Sequence, residues 1–448
     1  MARGKKKEST LTPEEKLAQA LVPVEEQPYK VPENWCWVKL SALSTLISKG
    51  TTPTGGKNAY VSEGVHFLRV ENINDDGTIS HDNIACVTEQ MHTGFLKRSV
   101  LENRDVLVSI AGTLGKTGIV RDIDLPLNTN QAVAFVRLKT EDVNERYIKG
   151  VIDNPITQEL LLGKTKVTSI PNLTLEIIGD CLIPLAPIAE QQRIVDRIEY
   201  LFAKLDEAKE KAQSVLDSFE TRKAAILHKA FTGELTVKWR VEHGLVVDTW
   251  NKKPLVEVTY NHDSRRIPLS QAERSNLERR YDYYGASGVI DKVDRFLFEG
   301  RNLLIGEDGA NLVTRSKPIA FIADGQYWVN NHAHVLSTKA EMVLDFLCYY
   351  INSIDLTPYV TGSAQPKMTQ AKMNGIPVPV PSVPEQTEIV RILDSLFAKE
   401  QQAKEAAEAV LEKIELLKKS ILVRAFRAEL GTNDPSEESA MELLKIIL

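Results

Sequence analysis

Pro184 to Leu235 and Pro379 to Leu430 are two versions of one text, roughly fifty residues long, aligned without a gap at a constant offset of 195 positions. Glu190-Gln191 matches Glu385-Gln386, and Leu201-Phe202-Ala203-Lys204 matches Leu396-Phe397-Ala398-Lys399. Near the far ends Ala230-Phe231 matches Ala425-Phe426, and Glu234-Leu235 matches Glu429-Leu430. An internal repeat fixes the architecture of a chain before any short motif does. Unlike sequence separates the copies, so the 448 residues read variable, constant, variable, constant.

Apolar spacing says what each copy builds. In the first, Ile194, Ile198, Leu201, Leu205, Ala208, Ala212, Val215, Phe219 and Ile226 follow steps of four and three, with Arg222 the one break. In the second, Ile389, Leu393, Leu396, Ala403, Ala407, Val410, Ile414, Leu417 and Ile421 do the same, interrupted at Glu400. A sustained seven-residue apolar period marks a coiled-coil seam. Prolines at 184 and 187, and at 379, 381 and 384, end the segment before each helix. Each helix is expected to run for about 45 residues, roughly 65–70 Å. Two matching seams on one chain pair most simply with each other, as an intramolecular antiparallel coiled coil. Two unrelated surface helices are the alternative.

Composition bounds the rest. The net charge is −6, no apolar run reaches the length of a membrane span, and the basic start Arg3-Gly4-Lys5-Lys6-Lys7 is not followed by an apolar signal region. Cys36, Cys86, Cys181 and Cys348 are too far apart for metal-ligand or redox spacing, which suits a reducing cytosol. The expectation is a soluble, cytoplasmic, multidomain protein without a membrane partner. A mildly negative total leaves room for a local basic face.

The variable segments are rich in short β-runs broken by glycine and asparagine. Val65–Val70 leads into Asn72-Ile73-Asn74-Asp75-Asp76-Gly77, a strand followed by a turn. Asp105–Ile110 and Ala132–Leu138 are further strands, and helical text appears from Tyr147 to Leu162. Arg301–Ile305, Pro318–Ile322 and a helix near Met342 to Ile354 repeat that order in the second segment. Since Pro171 also pairs with Pro366, the fold class is α+β: two homologous strand-rich domains separated by the two long helices.

This alternation resembles the specificity subunit of type I restriction–modification systems. So do Gly50-Thr51-Thr52-Pro53, Phe67-Leu68-Arg69-Val70-Glu71-Asn72-Ile73 and Leu107-Val108-Ser109-Ile110-Ala111-Gly112-Thr113-Leu114-Gly115. In the second half Tyr284-Gly285-Ala286-Ser287-Gly288 and Leu304-Ile305-Gly306-Glu307-Asp308-Gly309 are similar family text, as are the repeat openings Pro187–Val195 and Val383-Pro384-Glu385-Gln386. The resemblance covers Pro32 to Gly431. It implies two target-recognition domains that each read half of a bipartite sequence in double-stranded DNA. It also implies helices that act as spacer and docking rail, with methyltransferase subunits and endonuclease–translocase subunits as partners and no catalysis in the subunit itself. The boundaries follow: an N-terminal arm with a short helix over 1–31, the first recognition domain over 32–185 and the central helix over 186–236. The second recognition domain occupies 245–380, the distal helix 381–431 and a tail 432–448.

The residues agree that chemistry is absent. Gly112-Thr113-Leu114-Gly115-Lys116-Thr117-Gly118 lacks the earlier glycine of a phosphate-cradling loop, since that place is Ile110, and reads as a turn. Asp153-Asn154-Pro155-Ile156 lacks the second proline and the aromatic of an amino-methyltransferase loop. His332 and His334 have no partners at ligand spacing. No catalytic residue, metal or cofactor is expected. A coiled-coil adaptor that binds no DNA and a stand-alone DNA-modifying enzyme remain the alternatives.

Bases in the major groove are told apart by Arg or Lys on guanine and Asn or Gln on adenine, while phosphates are held by Lys, Arg and hydroxyls. On those grounds the first-domain DNA candidates are Thr51, Thr52, Lys57, Arg69, Asn72, Asn74, Thr113, Lys116, Asn130, Gln131, Lys164 and Lys166. Tyr284, Ser287, Asn311, Arg315, Asn330, Asn331, Gln365 and Lys367 are the second-domain set. Arg193, Arg197, Lys204, Lys211 and Arg391 face outward on the helices and are candidates for docking the methyltransferase, or simply solvated flanks. If helix length sets the gap between half-sites, removing one matched heptad shortens it by about 10 Å, roughly three base pairs. At the ends, Thr12-Pro13-Glu14-Glu15 starts a short helix, and Met441 to Leu448 is apolar enough to dock on the scaffold or a partner.

Overall fold

A computed structural model describes residues 12–163, 172–245, 250–362 and 365–448. The chain divides into two compact units, Met1–Lys211 with Val410–Leu448, and Ala212–Ala409.

The first unit holds β1 (Cys36–Lys39), β2 (Ser44–Lys49), β3 (Val65–Leu68), β4 (Ala85–Val87), β5 (Val106–Ser109), β6 (Thr117–Ile119), β7 (Leu127–Thr129), β8 (Val133–Leu138) and β9 (Leu182–Leu185). They form a four-stranded sheet β2-β8-β5-β6, a three-stranded sheet β4-β3-β7 with β3 parallel to β7, and the ladder β1-β9. The alternating faces of the central strands feed two cores. Val106, Val108, Ala134 and Val136 pack with Tyr147, Ile148 and Val151 of the helix Glu145–Asp153. Leu107, Val133 and Phe135 face the other way, onto Leu68 and Leu127 of the smaller sheet.

The second unit repeats this plan with β10 (Lys252–Pro254), β11 (Thr259–Asn261), β12 (Tyr281–Gly285), β13 (Gly288–Val293), β14 (Phe298–Glu299), β15 (Asn302–Gly306), β16 (Ala320–Ala323), β17 (Gln326–Val329), β18 (Ala333–Thr338) and β19 (Pro377–Pro379). Its orders are β11-β18-β15-β16, β13-β12-β17-β14 with β12 parallel to β17, and β10-β19. With one strand added, β14 at the edge of the smaller sheet, the duplication extends through the variable segments.

The long helices differ from expectation in two respects. The second is one helix, Val383–Ala425, but the first is divided at Ser218 into Ile188–Asp217 and Phe219–Phe231. There the Ser218 hydroxyl donates back to Ser214 O at 2.6 Å, and the Arg222 guanidinium reaches Ser218 Oγ and, at 3.1 Å, Val215 O. Side-chain donors thus add to the ladder at the carbonyls of the last turn, where the Ser218 amide still reaches Ser214 O at 3.2 Å; such back-bonding by serine often bends helices.

The seam of the second helix is also displaced in part. Ile389, Leu393, Ala407 and Ile414 are buried, as expected, but Ala403, Val410 and Leu417 are exposed. Their neighbours Lys404, Leu411 and Lys418 are half-buried instead. The two lysines lay their stems in the seam, with Nζ 5.1 Å from the Phe219 ring centre and 5.2 Å from that of Phe202. A pattern that counts only apolar residues assigns such lysines to the flanks.

The pairing is antiparallel in both units. In the first, Asp206 meets Lys418 at 2.5 Å and Lys209 meets Glu415 at 3.2 Å. In the second, Arg222 meets Glu400 at 2.8 Å, so the two polar residues that interrupt the two seams are each other's partner.

The matched residues of the repeat tie each helix to a domain. Gln191 accepts from Asn144 N at 3.0 Å and Gln386 from Val343 N at 2.8 Å, in both cases just before a domain helix. Glu190 is buried and accepts from Trp35 Nε1 at 2.7 Å and Asn433 Nδ2 at 2.8 Å. Glu385, equally buried, accepts from Arg240 at 2.6 Å and Thr236 at 2.7 Å. At the far end of each copy Phe426 packs edge-on against Tyr147 at 5.3 Å, and Phe231 against Tyr350 at 5.2 Å. The N-terminal helix Pro13–Ala20 carries the full Thr12/Glu15 capping box, and the C-terminal helix Ala440–Ile447 buries Leu443 and Leu444 in the first unit's core.

Candidate nucleic-acid interface

Chain-distant loops meet at one end of the sheets in each unit. In the first, Thr51 N donates to Thr129 O at 3.1 Å, Asn130 N to Leu68 O at 3.2 Å and Ile110 N to Ala132 O at 2.8 Å. These bonds gather the loops that follow β2, β3, β5 and β7. In the second, Asn330 N donates to Tyr284 O at 3.1 Å, Glu307 N to His332 O at 2.9 Å and Gly309 N to Pro366 O at 3.0 Å. The loops after β12, β15 and β17 are thereby joined with the segment around 365–368.

Several candidates stand at these ends. Thr52, Thr113 and Gln131 are exposed, and Thr51 Oγ1 accepts from Arg98 Nε at 3.0 Å. Arg98 was not anticipated; nothing local in the sequence separates it from an ordinary surface arginine. Arg69 lies 4.8 Å over the Tyr60 ring and 3.6 Å from Glu71. In the second unit Asn331 and Gln365 are exposed and Ser287 is half-buried in the β12–β13 turn. Tyr284 lies against Phe321 and Tyr327, where burial raises its phenol above the ordinary value.

Other candidates are engaged by bonds within the chain. Asn72 is buried and accepts from Arg69 N at 3.0 Å. Asn130 Oδ1 accepts from Ala132 N at 3.1 Å and Asn330 Oδ1 from His332 N at 2.8 Å, the same turn in both units. Asn74 bonds Thr78 at 2.9 Å in a turn beside Ile119, and Lys116 meets Asp75 of that turn at 3.1 Å. Asn311 braces its own loop through Lys317, while Arg315 caps the helix Leu344–Ser353 by donating to Ile354 O at 2.5 Å and Asn352 O at 3.3 Å. Lys367 pairs with Glu307 at 3.2 Å. Lys164 and Lys166 lie outside the described residues, as does the side chain of Lys57.

The second unit's end carries an ionic network that has no counterpart among the described residues of the first unit's end. Glu307 binds Arg266 at 2.8 Å, and Asp263 binds the buried His334 at 2.6 Å. Burial pushes both carboxyls up, but His334, Arg266 and Lys367 outweigh it and hold them below the ordinary range. His332 Nδ1 lies 2.9 and 2.8 Å from the two oxygens of Asp308. Among the described residues no group of three or more His, Cys, Asp or Glu side chains could hold a metal ion, and no helix is long and apolar enough to cross a membrane.

On the helices Arg197, Lys204, Lys211 and Arg391 are exposed. Arg193 is not: its guanidinium grips Glu437 at 2.7 and 2.8 Å and Thr432 O at 3.0 Å.

The family described as the type I restriction modification DNA specificity domain matches residues 32–216 and 248–413, the two halves of this duplicated architecture. The chain belongs to that family. The EcoBI type I restriction enzyme specificity subunit of Escherichia coli is 30% identical over 49% of this chain and 46% of its own length. The StySPI specificity subunit of Salmonella potsdam is 22% identical over 90% of each chain. The more similar stretches thus span less than half of the curated relatives concerned. The crystal structure of the HsdS subunit from Thermoanaerobacter tengcongensis shares the fold, with a TM-score of 0.63 at 19% identity over 91% of this chain and 100% of that one.

Proposed function

We propose that this specificity-family chain is the DNA-recognition subunit of a type I restriction–modification complex and acts in the cytoplasm. Each unit reads one half of a bipartite target with the loops gathered at its sheet end. The observation that carries this reading is the duplication of one loop-gathering strand plan, with different side chains on the two ends. Two copies with divergent polar tips suit two different half-sites; an adaptor that binds no DNA has no use for them. The exposed helix residues Arg197, Lys204, Lys211 and Arg391 are proposed to dock adenine methyltransferase subunits, which supply the chemistry, and endonuclease–translocase subunits complete the complex. Arg193, held by Glu437, braces the scaffold in this reading.

Co-expression with a cognate methyltransferase, followed by mapping of methylated adenines, tests the proposal. A two-part motif with a fixed unspecified gap is expected, along with binding that weakens steeply as salt rises. A contiguous motif, or methylation by the purified chain alone, contradicts it.

A further inference from the structure

The turns at Asn130 and Asn330 are one backbone carrying different chemistry. Ile110 N donates to Ala132 O at 2.8 Å, and Glu307 N to His332 O at 2.9 Å. Two residues beyond each donor, Gly112 and Gly309 take positive φ of 77° and 105°. By this register Ala111 corresponds to Asp308, and Ala132 to His332. Two alanines of the first unit have become an acid and an imidazole in the second, and these two side chains bond to each other.

The fold does not call for the pair, since the same turns close on alanine. Nor does the pair add much stability, because its members are 49% and 31% exposed and open ion pairs are worth little. In the neutral ring a carboxylate on Nδ1 sets the tautomer: Nδ1–H donates to Asp308, which leaves Nε2 as an acceptor. Neighbouring Glu307 is occupied by Arg266 and Lys367. That leaves Nε2 of His332 as the acceptor that this pair offers. A phosphate oxygen, itself an acceptor, finds no match at that nitrogen, whereas the exocyclic amines of cytosine and adenine do.

We propose that His332 reads a base amine, cytosine N4 or adenine N6, in the half-site of the second unit, with Asp308 as its positioning residue. This rests on the DNA-reading function proposed above.

The test is methylation mapping with the full chain and its methyltransferase, comparing wild type with His332→Ala, Asp308→Ala and the double variant. Wild type is expected to give a bipartite motif; absence of one sinks the DNA-reading function and this inference together. His332→Ala is expected to relax one position of one half-site by roughly tenfold in discrimination, the scale of a single base contact. The other half-site should stay unchanged, which also reports that the variant folds. The relaxed position identifies the amine as cytosine or adenine. Asp308→Ala should relax the same position, and the double variant should do no more than His332→Ala. An unchanged motif overturns the inference. So does uniform weakening across all sequences, the mark of a phosphate contact.

Discussion

Glu190 shows how much a single residue of the repeat carries. Its buried carboxylate accepts from Trp35 Nε1 and Asn433 Nδ2, both on the same oxygen, and so joins the start of the long helix to the two ends of the first unit's chain. Replacing it with alanine leaves the Trp35 indole N–H without an acceptor and takes one of two from Asn433 Nδ2, which costs about 1–3 kcal/mol. Glutamine keeps an acceptor oxygen, so Glu190→Gln is expected to lose far less in thermal or urea unfolding. Burial raises the Glu190 carboxyl above its ordinary value, a rise that the bonds from Trp35 and Asn433 reduce without cancelling. A carboxyl raised in the folded state binds protons more readily there than in the unfolded chain. Its contribution is therefore most favourable in acid and declines as pH rises from about 4 through the raised value. Wild type should accordingly lose ground against Glu190→Gln between acid and neutral pH, and parallel profiles for the two proteins would refute that assignment. The matching Glu-Gln pairs were legible in the sequence, but their role was not. The partners of Glu190 lie 155 and 243 positions away, and no local pattern encodes such contacts.

Elements were more legible than contacts. The strands β3, β5, β8, β15 and β16 fall within β-rich runs of a text punctuated by glycine and asparagine, because burial on alternate faces writes itself into local composition. The coiled coil was visible for the same reason, and its errors have physical causes. Lysine stems covering phenylalanine rings look like flank residues, and the division at Ser218 depends on what a hydroxyl and a guanidinium bond. The two polar residues that seemed to spoil the seams turn out to fix their alignment. Arg222 and Glu400 are 34% and 21% exposed, so desolvation is partial and the pair is worth roughly 1 kcal/mol in a double-mutant cycle. Replacing either residue alone with leucine strands its partner and should cost about 1–2 kcal/mol. The double leucine variant should recover most of that loss. In exchange it gives up the polar contact that rejects slipped registers, as a buried polar residue does in other coiled coils. Additive single losses in the unfolding free energies would mean that the pair is incidental.

At the scale of the whole chain, the helices carry the polypeptide between two units that repeat one plan. If they also set the gap between half-sites, shortening them has a calculable effect. Removing seven residues around Lys209 together with seven around Glu415 keeps the antiparallel partners matched. Each helix then loses about 10 Å, while its faces turn by only about 20°. The unspecified gap in the methylated motif should contract by roughly three base pairs, with both half-site sequences unchanged. Removing five residues from each helix shortens them by a comparable amount, but rotates the following residues by about 140° from their former facing, since each residue advances the helix by about 100°. That variant should lose bipartite recognition even though its length falls near that of the seven-residue deletion. A cut in one helix alone should be worse still, because it moves Arg222 out of register with Glu400. An unaltered gap in the seven-residue variant would show that helix length is not what spaces the half-sites. Equal motifs from the five- and seven-residue variants would show that helical facing plays no part.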